Sequence, residues 1–278
     1  MVCVVILQEL YFYLLLTILV LFILTILGYF VYSIIRKHQF ENNINQNTDY
    51  FSRLAHDLKS PLAAIDGYAF LSKQCVNDPQ KILNYLDRIE FSSKYMQEVI
   101  DDTVTLSKIN KNKEEISIVR VNLKDLINLC LNTIEVQLNN RNIQLEKDID
   151  VQHYWVMTDG LHLTRIIMNL LNNAMKYTNE FGKVWFQVKE IEKNYNLSLY
   201  QFIIKDTGCG MSKEFQKRVF EPFVQEHRIS TNIPSSGLGL YIVKKFVDLL
   251  HGEIIVESEE NVGSCFTIKL ELHHLINE

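Results

Sequence analysis

An uncharged run close to the N-terminus is the feature that most constrains the fold of this chain. The residues from Leu10 to Ile35, LYFYLLLTILVLFILTILGYFVYSII, include no charged side chain. A helix needs roughly 20 apolar residues to cross the core of a bilayer, so the run is long enough to span it with some tilt. A signal peptide would need a basic start, a shorter apolar core and a small-residue cleavage site. Only Glu9 is charged before the run and no such site follows, so we predict a retained transmembrane helix over 10–35.

The flanking charges predict the orientation of this span. Arg36 and Lys37 follow it directly, and basic residues favour the cytoplasmic side of a membrane. We therefore expect a short extracytoplasmic N-terminus over 1–9, no extracellular sensing domain, and everything after the span in the cytoplasm. Residues 36–47 are polar and rich in asparagine, which is typical of a juxtamembrane linker.

Charge and cysteine content exclude some classes of protein. The 278 residues include 28 Lys and Arg against 33 Asp and Glu, so the chain lacks the excess of basic residues that is typical of nucleic-acid-binding proteins. Its five cysteines are scattered and form no CxxC pair, which indicates neither a zinc finger nor a disulfide framework. Scattered cysteines of this kind are typical of reduced thiols in cytoplasmic domains.

Two apolar patterns over 48–113 predict a helical hairpin. Both alternate steps of four and three, the spacing of a bundle seam, from Phe51 to Ser72 and from Ile82 to Thr103. Between them, Asp78 suits a helix N-cap and Pro79 the first turn of the second helix. One hairpin buries little apolar surface, whereas two copies make a four-helix bundle, so we predict a homodimer.

After residue 113 the pattern of apolar and polar residues changes to one of alternating strands and helices. We predict strands over 116–121, 143–149, 153–158, 183–192, 197–206, 253–260 and 264–272, and helices over 122–140, 161–178, 212–220 and 238–251. Strands and helices mixed in this order predict an α+β sandwich over 114–278, one sheet covered on one face by helices.

The helix predicted over 161–178 carries polar residues on one face. Asn169, Asn173, Lys176 and Tyr177 are spaced so that they share that face. Amide oxygens suit Mg²⁺ that keeps waters and phosphate ligands, and a lysine can neutralise phosphate. An ordinary solvated helix face explains the same residues, because asparagine is frequent throughout the chain.

Two glycine-rich segments are compatible with a phosphate site. DTGCG follows a predicted strand, and GLGL directly precedes a predicted helix. Glycines at a helix N-terminus let phosphate approach the backbone N–H groups and the positive end of the helix dipole. Each is a weak signal alone, since a turn explains DTGCG equally well.

The segment FSRLAHDLKSPL, residues 51–62, combines features that an ordinary helix would not need. His56 is followed directly by Asp57, and Pro61 lies five residues beyond the histidine. A proline inside a helix removes a backbone donor and tends to kink it.

The order and spacing of these segments resemble the sensor histidine kinase family of two-component systems. The resemblance covers nearly the whole chain after the linker. Six segments match the family's boxes: the phosphoacceptor box 51–62, the N box NLLNNAMKYT at 169–178, DTGCG at 206–210, FEPF at 220–223, GLGL at 237–240 and GSCF at 263–266.

The resemblance implies a dimeric helical-hairpin phosphoacceptor domain and an α/β-sandwich ATP-binding domain of the histidine kinase, gyrase and chaperone type. It implies that His56 takes the γ-phosphoryl group of ATP and passes it to an aspartate of a response regulator. Asp57 would hold the proton on the other ring nitrogen of His56. We expect no receiver domain after Glu278, so the regulator would be a separate protein.

The resemblance also assigns the nucleotide site. Asn173 corresponds to the Mg²⁺ ligand, Asn169 to its partner near metal and phosphate, and Asp206 to the acceptor of the adenine amino group. Lys176 would approach phosphate and Tyr177 would pack beside the nucleotide. The resemblance also implies that Arg228, in the lid over the nucleotide, contacts phosphate. The remaining residues belong to the two glycine boxes, where the backbone approaches the nucleotide closely: Gly208, Gly210, Gly237, Leu238, Gly239 and Leu240.

Two departures from the family pattern bear on these expectations. Pro234, Ser235 and Ser236 stand where another glycine usually precedes the second glycine box, which predicts a stiffer lid. Ser60 stands where the family often carries Thr or Asn, so a regulator phosphatase activity is expected to be weaker than the kinase.

Two other functions are alternatives to the kinase. A catalytically idle module that dimerises, signals and binds ATP is disfavoured because His56, Asn173 and Asp206 are intact. An ATPase of the gyrase or chaperone type would carry a glutamate base where this chain has Asn169. Neither the stimulus nor the identity of the regulator can be read from the sequence.

Overall fold

A computed structural model describes residues 54–111, 113–226 and 235–275, without the side chains of 192 and 193. None of the helices in these ranges is long and apolar enough to cross a membrane. The predicted span over 10–35 lies outside the described residues.

Two long helices come first. Helix α1 covers the described residues 54–74, and α2 runs from Pro79 to Asn110. Asp78 is the N-cap of α2, since its side chain accepts from the Lys81 N–H, and a proline occupies the first turn. The rings of Tyr68 and Tyr85 stack with centroids 5.8 Å apart, so the two helices pack as the predicted hairpin.

The rest of the chain alternates helices and strands. In order, the elements are β1 Val119–Asn122, α3 Leu123–Asn140, β2 Gln144–Asp150, β3 Trp155–Thr158, α4 Gly160–Tyr177, β4 Lys183–Asn194, β5 Leu197–Asp206, α5 Lys213–Gln216, α6 Gly239–Leu249, β6 Glu253–Glu259 and β7 Gly263–His274. Two predicted boundaries were wrong. Strand β1 begins three residues later than its apolar pattern, and α5 ends at Gln216 because residues 217–220 form turns.

The strands form one seven-stranded mixed sheet in the order β1-β3-β7-β5-β4-β2, with β6 also paired to β7. Among the described strands, β2 and β4 form the one parallel pair. Every second residue of β5 is buried and most of those between are half-buried, as expected where helices cover one face. The predicted α+β fold with a mixed sheet is confirmed.

Helices α3, α4 and α6 pack on this sheet around one apolar core. Leu163, Ile166, Ile167 and Leu170 of α4 are fully buried there. Burial of these side chains fixes the rotation of α4 about its axis and therefore the direction in which its polar face points. Among the described residues, Cys75, Cys130, Cys209 and Cys265 form no disulfide.

Candidate nucleotide-binding site

A cavity of about 840 Å³ lies between α4, the segment after β5, the start of α6 and one face of α2. Its wall brings together nine of the predicted residues, which come from three separate segments: Asn169, Asn173, Lys176, Tyr177, Asp206, Gly210, Gly237, Gly239 and Leu240. The size is that of a ligand pocket for a small molecule. The structure therefore favours a shared site over the alternative of an ordinary solvated helix face.

Three other predicted residues are placed differently. Leu238 is fully buried and anchors the start of α6 in the core. Gly208 lies behind the wall, where an added Cβ would come within 2.5 Å of the Tyr177 carbonyl oxygen. Arg228 lies outside the described residues, so its predicted phosphate contact stays a prediction.

Helix α4 presents the amide side chains. Asp159 caps its N-terminus by accepting from the backbone N–H groups of Leu161 and His162, each at 3.0 Å. With the apolar face buried in the core, Asn169 and Asn173 are left one turn apart on the cavity side. Two amide oxygens at this spacing fit a Mg²⁺ ion that takes its other ligands from phosphate and water.

Asp206 ends β5 and is 5% exposed. Its Oδ1 accepts from the backbone N–H of Gly208 at 2.7 Å and of Ser264 at 3.3 Å. Burial raises the pKa of Asp206 to about 6, and these two hydrogen bonds oppose the increase. The carboxyl group is thus held in one orientation at the cavity wall, where it can accept a hydrogen bond from a ligand while ionised.

Two glycines let the β6–β7 region pass close to Asp206 and to the segment after it. Gly263 has φ +136°, and a Cβ there would lie 2.0 Å from the Asp206 carbonyl oxygen. Gly210 has φ +63°, and its added Cβ would lie 1.8 Å from the carbonyl oxygen of Glu259. No other residue type can occupy either position without a backbone shift.

The N-terminus of α6 approaches α4 at the cavity. A Cβ on Gly239 would come within 3.2 Å of Asn169 Oδ1, so the absent side chain permits this approach. Leu238, the N-cap, provides no capping hydrogen bond from its side chain. Backbone N–H groups at such a helix start are suited to phosphate oxygens.

Two hydrogen bonds join residues at and just after the end of the FEPF segment to those at the second glycine box. Gln225 Nε2 donates to the Ser235 carbonyl at 2.6 Å, and the Phe223 N–H donates to the Gly237 carbonyl at 2.9 Å. These bonds hold Phe223 and Gln225 beside the second glycine box.

Helix α2 contributes acidic residues that the sequence did not predict. Glu98 and Asp102 line the cavity, one helical turn apart. Ser236 Oγ donates to Asp102 Oδ2 at 3.0 Å. Burial raises the pKa of Asp102 to about 6 and also raises the pKa of Glu98. Only their i, i+4 spacing could have indicated a shared face, and that spacing is common on exposed helices.

Lys176 carries the positive charge opposite these acids. Burial lowers the pKa of Lys176 to about 8, and Glu98 opposes the decrease. The lysine is therefore mostly protonated at neutral pH. Arg165 provides a further link between the helices, since its guanidinium donates to Thr105 Oγ1 at 3.2 Å.

The described part of the phosphoacceptor segment lies on helix α1. The side chain of His56 is 85% exposed, and its Nδ1 lies 3.4 Å from Asp57 Oδ1. Ser60 is also exposed, one turn further along α1, and the helix continues through Pro61. An exposed imidazole with a carboxylate beside Nδ1 leaves Nε2 accessible to a reaction partner.

Two family models match the chain in succession. Residues 46–112 match the His Kinase A (phospho-acceptor) domain, and residues 158–274 match the histidine kinase-, DNA gyrase B- and HSP90-like ATPase. The second match contains the three segments that line the cavity with predicted residues, and the α2 wall of the cavity lies in the first match. With both domains in this order, the chain belongs to the sensor histidine kinases of two-component systems.

Named relatives agree with this family. The chain is 30% identical over 243 residues to the autoinducer 2 sensor kinase/phosphatase LuxQ of Vibrio harveyi, covering 86% of this chain and 28% of LuxQ. It is 27% identical to the histidine protein kinase SaeS of Staphylococcus epidermidis, covering 85% of this chain and 66% of SaeS. The chain thus spans about a quarter of LuxQ and just under two thirds of SaeS.

A solved structure shares the fold. The histidine kinase ThkA, solved in complex with the response regulator protein TrrA, superimposes with a TM-score of 0.57 at 23% identity. The superposition covers 79% of this chain and 60% of that one.

Proposed function

We propose that this protein is a membrane-anchored sensor histidine kinase that transfers the γ-phosphoryl group of ATP to His56 and then to an aspartate of a separate response regulator. The observation that carries the proposal is the cavity, which gathers the amide, carboxylate and glycine residues of the three nucleotide boxes. Its α2 wall belongs to the second helix of the phosphoacceptor hairpin.

The cavity residues have distinct tasks in this proposal. Asp206 accepts the adenine amino group, and Tyr177 packs beside the nucleotide. Asn173 and Asn169 would hold Mg²⁺, which neutralises charge on the phosphate oxygens during phosphoryl transfer. Lys176 adds positive charge, and the start of α6 offers backbone N–H groups to phosphate.

His56 is the nucleophile. Asp57 accepts a hydrogen bond from the Nδ1–H of His56 and holds the proton there, which leaves the lone pair of Nε2 to attack the γ-phosphorus. An Nε2–P bond forms as the bond from the γ-phosphorus to the bridging oxygen breaks, and ADP leaves with that electron pair. The phosphoryl group then passes from Nε2 to a carboxylate oxygen of the regulator. The regulator complex of ThkA supports this class of partner.

Exposed apolar residues support a homodimer. The hairpin of α1 and α2 leaves large side chains in solvent: Leu62, Phe70, Leu71, Val76, Leu83, Leu86, Phe91, Ile100 and Val104. A second hairpin covering part of this surface would complete a four-helix bundle. Within one hairpin, α1 and α2 pack through the stacked rings of Tyr68 and Tyr85.

The anchor is proposed from the sequence alone. The uncharged run over 10–35 would form a single span, with Arg36 and Lys37 holding the catalytic domains on the cytoplasmic side. A regulator phosphatase activity is proposed at Ser60, and the relative LuxQ, a sensor kinase/phosphatase by name, supports both activities in one chain.

Incubation of the full chain with γ-labelled ATP and Mg²⁺ tests this function. The kinase proposal expects label on the protein that is lost in acid and retained in base, the stability of phosphohistidine. Label that survives acid would place the phosphoryl group on another residue type. Bound ATP without any label would instead support the idle signalling module.

A further inference from the structure

A cluster of two histidines and one glutamate lies apart from the nucleotide cavity. His153 precedes β3, Glu190 lies on β4, and His274 ends β7. None of the three lines the cavity. Glu190 pairs with Tyr200 on β5, and Asp206 lies six residues further along that strand, roughly 20 Å at the usual rise. The cluster therefore has no part in the proposed nucleotide chemistry.

The three side chains converge closely. Each offers one ligand atom, and these atoms all lie within 4.8 Å of one another. Nδ1 of His153 is 2.7 Å from Oε1 of Glu190, and the rings of His153 and His274 are 3.9 Å apart between centroids. Metal–ligand bonds of about 2.1 Å in a tetrahedral site put the ligand atoms roughly 3.4 Å apart. The separations in the structure exceed this spacing by at most roughly 1.4 Å.

Glu190 is held for this role by its surroundings. Its side chain is 3% exposed, and its Oε2 accepts from the backbone N–H groups of Gln152 at 2.7 Å and His153 at 2.8 Å. Burial favours the neutral acid, but these hydrogen bonds and those from the side chains of His153 and Ser198 outweigh it, so the pKa of Glu190 is lowered. The carboxylate is therefore ionised at neutral pH, and the hydrogen bonds to Oε2 fix its orientation.

The backbone around the cluster is also fixed. The hydroxyl of Tyr200, whose side chain is fully buried, donates to the His153 carbonyl at 2.8 Å. The N–H of His274 donates to the Asn196 carbonyl at 3.0 Å, and His274 pairs with Val156 of β3. Ligating groups in metal sites are typically positioned by such outer hydrogen bonds.

The donor set selects the kind of ion. Two imidazoles and one carboxylate suit Zn²⁺ and related transition-metal ions, whereas Mg²⁺ and Ca²⁺ prefer oxygen ligands alone. His153 is 29% exposed and the other two are buried or nearly so, which leaves one open side for entry and for a water ligand. Within the described ranges, this is the one group of three such residues with metal-ligand proximity.

We propose that His153, Glu190 and His274 form a binding site for one Zn²⁺ ion. Bound there, the ion ties together the segment before β3, the middle of β4 and the end of β7. Its physical effect is to stabilise that side of the sheet, at a distance from the residues that contact nucleotide.

The test is a Zn²⁺ titration of the untagged, metal-stripped full chain against a chromophoric competing chelator. Wild type should bind one Zn²⁺ that His274→Ala does not bind. His273→Ala is the matched control, because His273 is the neighbouring histidine on the exposed side of β7. It should bind as wild type does, and so should Asn173→Ala, which alters only the nucleotide cavity.

A conservative variant covers the case in which His274→Ala fails to fold. Glu190→Gln keeps the shape of the side chain and should weaken Zn²⁺ binding at least about tenfold. Zn²⁺ should also raise the Tm of wild type and of His273→Ala but not of Glu190→Gln. Equal Zn²⁺ stoichiometry and affinity in wild type and Glu190→Gln, or no binding by wild type, would overturn the proposal.

Discussion

Ser236 Oγ donates a 3.0 Å hydrogen bond to Asp102 Oδ2 and so joins the second glycine box to helix α2. The same serine hydroxyl accepts from the Leu238 N–H at 3.2 Å, directly before α6 begins. One side chain therefore connects the start of the phosphate-side helix to the second helix of the hairpin. Both bonds use the hydroxyl of Ser236, so a residue without a polar side chain at this position would form neither.

Asp102→Asn should stabilise the folded protein at neutral pH. Burial raises the pKa of Asp102 from 3.8 to about 6, so the native state binds more protons than the unfolded chain between these values. The unfolding free energy therefore falls as pH rises through this window. The asparagine oxygen still accepts from Ser236 and carries no charge to desolvate, so we expect a gain of about 1 to 3 kcal/mol at pH 7.

Urea denaturation at pH 7 and pH 4.5 measures this effect. The difference between Asp102→Asn and wild type should shrink at the lower pH. Asp87→Asn, on an exposed position of the same helix, is the control and should change neither value by more than about 0.5 kcal/mol. A loss of stability in Asp102→Asn at both pH values would show that the charge itself is needed.

Nucleotide binding should weaken as pH falls through about 6. Burial raises the pKa of Asp206 to about 6, and protonation removes the negative charge that strengthens a hydrogen bond from the adenine amino group. Asp102 titrates in the same window with the opposite effect, because its protonation removes negative charge from the cavity. We therefore expect the dependence to be clearest in Asp102→Asn, approaching a tenfold loss of affinity per pH unit below 6.

Calorimetric titration with a non-hydrolysable ATP analogue between pH 5 and 8 gives this profile. Asp206→Asn in the Asp102→Asn background should flatten it and reduce the preference for adenine over guanine nucleotides. A profile that keeps its slope without Asp206 would assign the titration to another group.

Asn173→Ala should remove the Mg²⁺-dependent part of ATP binding. Its amide oxygen lies on the cavity wall one turn from Asn169, and alanine offers no ligand atom. Affinity measured with Mg²⁺ should fall to the value measured with chelator. Asn140→Ala, an exposed asparagine at the end of α3, is the control. Normal Mg²⁺ dependence in Asn173→Ala would refute the ligand assignment.

Ser60→Thr should raise regulator dephosphorylation, and Ser60→Ala should lower it. The serine hydroxyl can orient water, but it lacks the methyl group that restrains χ1 in threonine. Looser positioning costs rate in phosphoryl transfer, which depends mainly on positioning and electrostatics. Decay of the phosphorylated regulator is measured with Ser93→Ala, an exposed serine of α2, as control. An unchanged decay rate in Ser60→Ala would exclude this role.

Much of this architecture could be predicted because local signals and global fold agree. Strand β5 was predicted with its observed bounds, since its alternating pattern ends at the polar DTGCG turn. The start of α2 was predicted from Asp78 and Pro79, because capping is a local interaction. Helix α4 was predicted within one residue at each end, from a strong apolar face.

The interactions that the sequence did not show are long-range. Asp102 and Ser236 are separated by 134 positions, and no periodicity relates them. The cluster of His153, Glu190 and His274 likewise joins a loop to two strands, through the register of β7 with β3 and β5 and of β4 with β5. Such contacts depend on tertiary packing, which composition and spacing do not specify.

Phosphorylation of His56→Gln with γ-labelled ATP tests the central claim most directly. Nucleotide affinity is measured in parallel, because the histidine and the nucleotide boxes lie in separate segments of the chain. His273→Gln, which changes an exposed histidine of β7, is the control and should retain full label. The kinase account predicts that His56→Gln binds ATP as wild type does and takes up no acid-labile label; substantial residual label on His56→Gln would contradict it.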